Sequence, residues 1–328
     1  MREETILRLT EPADLPDRLK GGVVAIGNFD GVHRGHQSVL ERALSAARQA
    51  HCPALVLTFE PHPRSVFQPD RPIDRLTPAH IKARILGILG FEAVVEKPFT
   101  RALAETTADE FVARIIVEGL GASRVVTGFD FHFGKGREGG PAFLMEAGGR
   151  HGFAVTLVAA FRNEAAEVAS SSAVRSALSQ GDVIGAAGLL GYRHTVEGTV
   201  RQGNQLGRTL GYPTANMALP PQTGLAHGIY AVRMRRADGS LHDGVASFGR
   251  RPTVVDDGAP LLETYVFDFN DDLYGETVSV SLFGFLRPEM KFENLDRLVV
   301  QMRHDEAEAR ALLSGVGPLS ELDRILCF

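Results

Sequence analysis

Over the first half of the chain, short apolar runs alternate with stretches of helical period. VVAI at 23–26 and ALVLTF at 54–59 predict strands buried on both faces, and further strands are predicted at 93–95, 124–127 and 154–158. Between them, apolar residues recur at helical spacing over 37–49, around 81–89 and around 110–118. This strand–helix alternation predicts an α/β domain, a doubly wound parallel sheet with helices on both faces.

The pattern changes near residue 185. In GIYAVRMRR (228–236), Tyr230, Val232 and Met234 fall on one face while Arg233 and Arg235 fall on the other. Asp238-Gly239 follows as a hairpin turn signal. ETVSVSLF (276–283) alternates likewise, with Val278, Val280 and Leu282 together. The prediction from Thr195 onward is a C-terminal antiparallel β-barrel closed by a helix over 294–313. Glycine-rich 181–191 is the predicted junction, giving domains 1–186 and 187–328.

A length of 328 residues accommodates two such domains. The net charge of −5 is spread without a basic stripe, which argues against a nucleic-acid partner. Cys52 and Cys327 stand far apart with no CxxC, so neither a disulfide framework nor a structural zinc site is expected. The first residues, MREETILRLTEP, lack the apolar stretch of a signal peptide, and no apolar run is long enough to cross a bilayer. A cytoplasmic protein without a membrane partner is expected; oligomeric state is not legible.

Candidate chemistry concentrates in two places. GNFDGVHRGH (27–36) follows the first predicted strand and opens a helix. Gly31 and Gly35 allow the backbone to bend close to a ligand, and the helix start offers N–H groups and a positive dipole end to phosphate. His33 and His36 can donate to phosphate oxygens. Such a site needs no protein nucleophile, because a substrate phosphate can attack the α-phosphate of ATP. GFDFHFG (128–134) superficially imitates a P-loop, but Gly136 stands where Ser or Thr should follow Lys135. Ser170, Ser171 and Ser172 begin a helix, and Arg175, one turn in, could reach a leaving pyrophosphate. The second place is a glycine-rich loop containing Gly203, Gly207, Arg208, Gly211 and Pro213, leading to Thr214 and Asn216. In an extended stretch Thr214 and Asn216 face the same side and present neutral oxygens suited to Mg2+.

These segments resemble the bacterial bifunctional riboflavin kinase/FAD synthetases over nearly the whole chain. GNFDGVHRGH resembles their HxGH nucleotidyltransferase motif, SSSAVR (170–175) their SSTxIR, and GRTLGYPTAN (207–216) their GRxLGFPTAN, with Tyr212 in place of Phe. GRRPT (249–253), LYG (273–275) and LRPEMKF (286–292) resemble further family segments. The resemblance implies an FMN adenylyltransferase domain, then a riboflavin kinase domain, with ATP as co-substrate and FMN and FAD as product or substrate flavins. It implies nucleotide contacts at Gly27, Asn28, Phe29, Asp30, Gly35, Asp130 and Ser170 to Ser172, and flavin contacts at Phe131, Phe133, His62 and Arg287. It makes Glu263 the general base of the kinase and Thr214 and Asn216 its metal and phosphate contacts. Tyr265 stands where relatives often carry histidine, which leaves the flavin contacts there open. Two rivals are a class I aminoacyl-tRNA synthetase, which would need a lysine-rich loop and a basic surface, and a non-catalytic flavin-binding barrel.

Overall fold

The computed structural model describes residues 6–162, 168–203, 207, 210–250 and 260–328. The chain divides into two compact units, Met1–Ser171 and Ser172–Phe328.

In the first unit the all-apolar stretches form strands buried on both faces. The strands are β1 (Leu7–Leu9), β2 (Val23–Ile26), β3 (Ala54–Glu60), β4 (Ala93–Pro98), β5 (Arg124–Gly128) and β6 (Ala154–Val158). They pair in parallel in the order β1-β4-β3-β2-β5-β6. The five longer strands lie where the apolar pattern predicts them. β1 adds an unpredicted edge, because Leu-Arg-Leu is too short to stand out. The Arg34–Ala50 helix buries Val39, Leu40, Ala43, Leu44 and Ala47, a stripe of helical spacing facing the core. The predicted helix at 110–118 is Ala108–Phe111, opened by a Thr107/Glu110 capping box and running into a π-helical stretch, Val112–Gly119. Strand order reverses at β2, which has β3 on one side and β5 on the other. In open parallel sheets, ligands bind at the carboxyl ends of strands beside such a reversal.

In the second unit, β7 (Thr195–Thr199), β8 (Thr214–Ala218), β9 (Gly228–Arg235), β10 (Leu241–Arg250), β11 (Pro260–Val266) and β12 (Thr277–Arg287) pair antiparallel in the order β7-β12-β9-β10-β11-β8. A bridge from Arg201 N–H to Asn216 carbonyl (2.8 Å) joins the end of β7 to β8 and closes the ring. Tyr230, Val232, Met234, Leu262, Val280 and Leu282 are among its buried residues. The predicted junction contains a helix, Val183–Leu190, between an Asp182 cap and Gly191, and Val183, Ala186 and Leu190 are buried. The helix predicted at 294–313 is Leu295–Ser314, capped by Asn294. A last helix, Glu321–Cys327, was not predicted; its seven residues give too little periodicity.

Candidate active sites

The first site is built on the carboxyl ends of three adjacent strands. Ile26 of β2 pairs with Leu57 of β3 and with Thr127 of β5, so the chain beyond Gly27, Thr58 and Gly128 emerges side by side. The loop after β2 is bent by left-handed backbone at Phe29 (φ 48°), Gly31 (φ 86°) and Val32 (φ 38°). Two of these three are not glycine, a conformation that persists only when neighbours hold it. Thr77 and Ser171 do so: Gly31 N–H donates to Thr77 Oγ1 (2.9 Å), and Ser171 Oγ donates to the Asp30 carbonyl (2.8 Å). The Asp30 carboxylate is buried and accepts from Thr77 N–H (3.1 Å) and Arg75 Nε (3.5 Å).

His33 occupies the cap position of the Arg34–Ala50 helix, and its Nδ1 accepts from His36 N–H (3.3 Å). The neutral ring therefore carries its proton on Nε2, which becomes a donor. His36 stacks on His33, with ring centroids 3.6 Å apart and planes at 22°. Burial, then the neighbouring His33 ring and the Lys82 charge, hold His36 well below the ordinary imidazole value, so it stays neutral. His36 Nδ1 and Arg34 Nε are buried without a hydrogen-bond partner among the described residues. An anion's oxygens would supply what these atoms lack. A Cβ on Gly35 would lie 2.9 Å from the Ala169 carbonyl and 3.1 Å from the His33 ring, so only glycine fits.

Of the other candidates, Asp130 is exposed, and Phe131 stacks on Phe133 at 5.5 Å. Phe133 is buried beside Phe111, at 5.0 Å, as a core residue; the exposed phenylalanine of this motif is Phe129. His62 caps a short helix, Pro63–Phe67, accepting from Arg64 N–H (3.2 Å). Ser170 precedes the Ser171–Ser179 helix, exposed Ser172 follows at its start, and Arg175 lies on that helix within the second unit.

Two residues beneath the loop, Lys82 and Arg75, escaped the sequence reading. Lys82 is fully buried and donates to Glu60 Oε1 (2.8 Å), Thr58 Oγ1 (3.0 Å) and the Asn28 carbonyl (3.1 Å). Arg75 grips Glu60 with both terminal nitrogens, at 2.5 and 2.6 Å. Burial would raise the Glu60 carboxyl, but hydrogen bonding to Arg75 and the Lys82 and Arg75 charges outweigh it and hold the group at about 2. The available signal was a lysine beside Ile81 and Ile85, on the apolar face of a predicted helix.

In the second unit, β8 and β11 bring the kinase candidates together. Asn216 pairs with Glu263 and Thr214 with Tyr265, so these four side chains share one face of the sheet. A cavity of about 480 Å³ adjoins them, lined by Thr214, Asn216, Gly203, Pro213, Asp271 and Asp272 among others. Thr264 and Val266 form its β11 wall, and Glu263 stands outside that wall, beside Asn216. Asn216 Nδ2 donates to the Thr214 carbonyl (3.0 Å), which fixes the orientation of the amide. A hydroxyl, an amide oxygen and the carboxylates of Asp271 and Asp272 are hard oxygen donors of the kind Mg2+ takes together with water and phosphate. The acid pair, just before LYG, was overlooked in the sequence.

Gly207 accepts from Tyr212 N–H (2.8 Å), and Gly211 adopts φ 83° at the turn between them. The Tyr212 ring meets Tyr265 edge-on at 4.7 Å. Arg287 grips buried Asp305 of the Leu295–Ser314 helix at 2.8 and 2.6 Å, so its guanidinium anchors that helix to β12. Arg208, Pro252 and Thr253 lie outside the described residues. Among the described residues, no helix is long and apolar enough to cross a membrane.

A parallel sheet with a phosphate-type loop at its reversal, followed in the chain by an antiparallel barrel, defines a two-domain nucleotide-using transferase. The FAD synthetase family matches residues 15–172 and the riboflavin kinase family residues 190–313, and the chain belongs to the bifunctional riboflavin kinase/FMN adenylyltransferase family. A Haemophilus influenzae protein of that name is 38% identical over 90% of this chain and 96% of its own. One from Pseudomonas fluorescens is 41% identical over 89% and 93%. A crystal structure from Streptococcus pneumoniae, titled a macrolide-efflux protein, superposes with TM-score 0.83 at 32% identity, covering 93% of this chain and 99% of that one. The synthetase rival falls with this assignment.

Proposed function

We propose that the first unit transfers an adenylyl group from ATP to FMN and that the second phosphorylates riboflavin. The observation that carries the first reading is the loop after β2 at the sheet reversal, where His33 and His36 stack and His36 Nδ1 and Arg34 Nε are buried without a partner among the described residues. There an FMN phosphate oxygen attacks the α-phosphorus of ATP and the bond to the β-phosphate breaks, releasing pyrophosphate. The two imidazoles and the helix start stabilise the charge gathering on the phosphoryl oxygens.

In the second unit the riboflavin 5′-hydroxyl attacks the γ-phosphorus of ATP, ADP leaves, and Glu263 accepts the hydroxyl proton. Thr214 and Asn216 would hold Mg2+ at the cavity, with Asp271 and Asp272 as further oxygen donors. Bound there, the metal would neutralise phosphate charge. Both substrates are small and soluble, which fits a cytoplasmic enzyme.

Incubation with riboflavin and MgATP, with FMN and FAD separated over time, tests the reading. FMN should rise first and FAD follow. Absence of either product from a folded, full-length protein would overturn the corresponding half.

A further inference from the structure

We propose that Lys82 is a positioning residue for adenylyl transfer, acting through the Asn28–Phe29 peptide to present the Phe29 N–H to the reacting phosphate. Lys82 has no exposed surface, and its three partners, Glu60, Thr58 and the Asn28 carbonyl, match the three N–H donors of an ammonium group. Thr58 also donates its hydroxyl to the Asn28 carbonyl (3.0 Å). One backbone oxygen in the phosphate loop thus receives two hydrogen bonds from beneath, one of them from a cation.

In a trans peptide the carbonyl and the N–H point in opposite directions. With the Asn28 oxygen held inward, the Phe29 N–H is directed to the other face of the loop. It makes no hydrogen bond among the described residues. The neighbouring Asp30–Gly31 peptide differs, because its carbonyl and its N–H are both taken, by Ser171 and Thr77. Of the two peptides, only Asn28–Phe29 leaves its donor to a ligand. A cation on the carbonyl also polarises the peptide and strengthens the opposite N–H as a donor. Phe29 lies against the imidazole pair, with its ring 5.3 Å from that of His36.

The buried charge is held by its own network. Arg75 bridges Glu60 and the Asp30 carboxylate, so Asn28 and Asp30, on either side of left-handed Phe29, are tied to one set of side chains. A backbone that must hold Phe29 at φ 48° needs such support, and the same support fixes where its N–H points.

The test is Lys82→Met in the full chain, which keeps length and apolar volume and removes the cation. FMN adenylylation should lose kcat by about 10- to 100-fold, less than the roughly 10²- to 10³-fold of deleting an oxyanion donor outright. KM for FMN and ATP should stay within about threefold, since the lost effect belongs to the transition state. Riboflavin phosphorylation by the same sample should be unchanged, which fixes the concentration of intact chain, and the retained KM values report that the first unit is folded. Thr58→Val, which removes the second hydrogen bond to the Asn28 oxygen and one acceptor of Lys82 but keeps the cation on that oxygen, should lower kcat in the same way but by less; it stands as the test if the lysine variant does not fold. Full kcat in the variant measured, or a loss carried by KM, would overturn the proposal.

Discussion

Glu60 takes hydrogen bonds from two cations inside the first unit, and that fixes its response to acid. Its carboxyl falls from an ordinary value of 4.5 to about 2. A depressed acid contributes stability that is fully present above 4.5 and lost as pH falls through 2. The first unit should therefore weaken over that window, and Glu60→Gln should be less stable at neutral pH yet flatter below pH 4.5, by thermal melting against pH. His36 acts at milder pH: an imidazole held neutral in the fold loses stability once the unfolded chain protonates, below about 6.5. Replacing either imidazole (His33→Ala or His36→Ala) should lower FAD formation by roughly 10²-fold or more while FMN still accumulates. Equal loss of both products in a folded variant would count against two independent sites. The histidines were legible because polar rings in a glycine-bent loop have little other reason to sit between a strand and a helix. Lys82 was hidden because one cation inside an apolar helical face reads as the helix edge until its partners on β3 and the loop are known.

Strand pairing decides what the kinase candidates can do together. Thr214 and Asn216 share a face by the period of a strand, and register alone sets Glu263 opposite Asn216. The alternation was legible in the sequence; the register was not, because nothing in either strand alone says which residue faces which. Gly203 shows the close fit: a Cβ there would lie 2.7 Å from the Asn216 amide. Gly203→Ala should displace that amide and lower riboflavin phosphorylation at least about 10-fold, while FAD synthesis from supplied FMN is untouched. Glu263→Gln keeps shape but removes the proton acceptor, and should cost roughly 10²- to 10⁴-fold in kinase kcat with little change in substrate affinity. Normal turnover by a Glu263→Gln protein would remove the general-base role.

For the molecule as a whole, composition and periodicity set two units in the right order, and the division between them needed the fold. A glycine-rich stretch reads as a linker, but Val183, Ala186 and Leu190 are buried, and the Leu178 carbonyl accepts from Ala226 N–H (3.0 Å) within the second unit. We expect residues 172–328 to fold alone and phosphorylate riboflavin. Starting at 187 removes Val174, Leu178 and Val183, each worth about 1–5 kcal/mol when buried, against a typical domain stability of about 5–15 kcal/mol. That shorter fragment should melt well below the longer one or be insoluble. Equal melting temperatures would show that the two helices are dispensable.

The Lys82–Glu60–Arg75 cluster also limits the order in which these residues can change over descent. If Lys82 is lost first, Glu60 keeps both contacts to Arg75 and no charge is stranded. If Glu60 is lost first, two cations remain without it, one of them fully buried, and a stranded buried charge costs about 3–5 kcal/mol. Lineages that abandon the cluster should therefore have replaced the lysine before the glutamate, leaving Glu60 paired with Arg75 as the surviving intermediate.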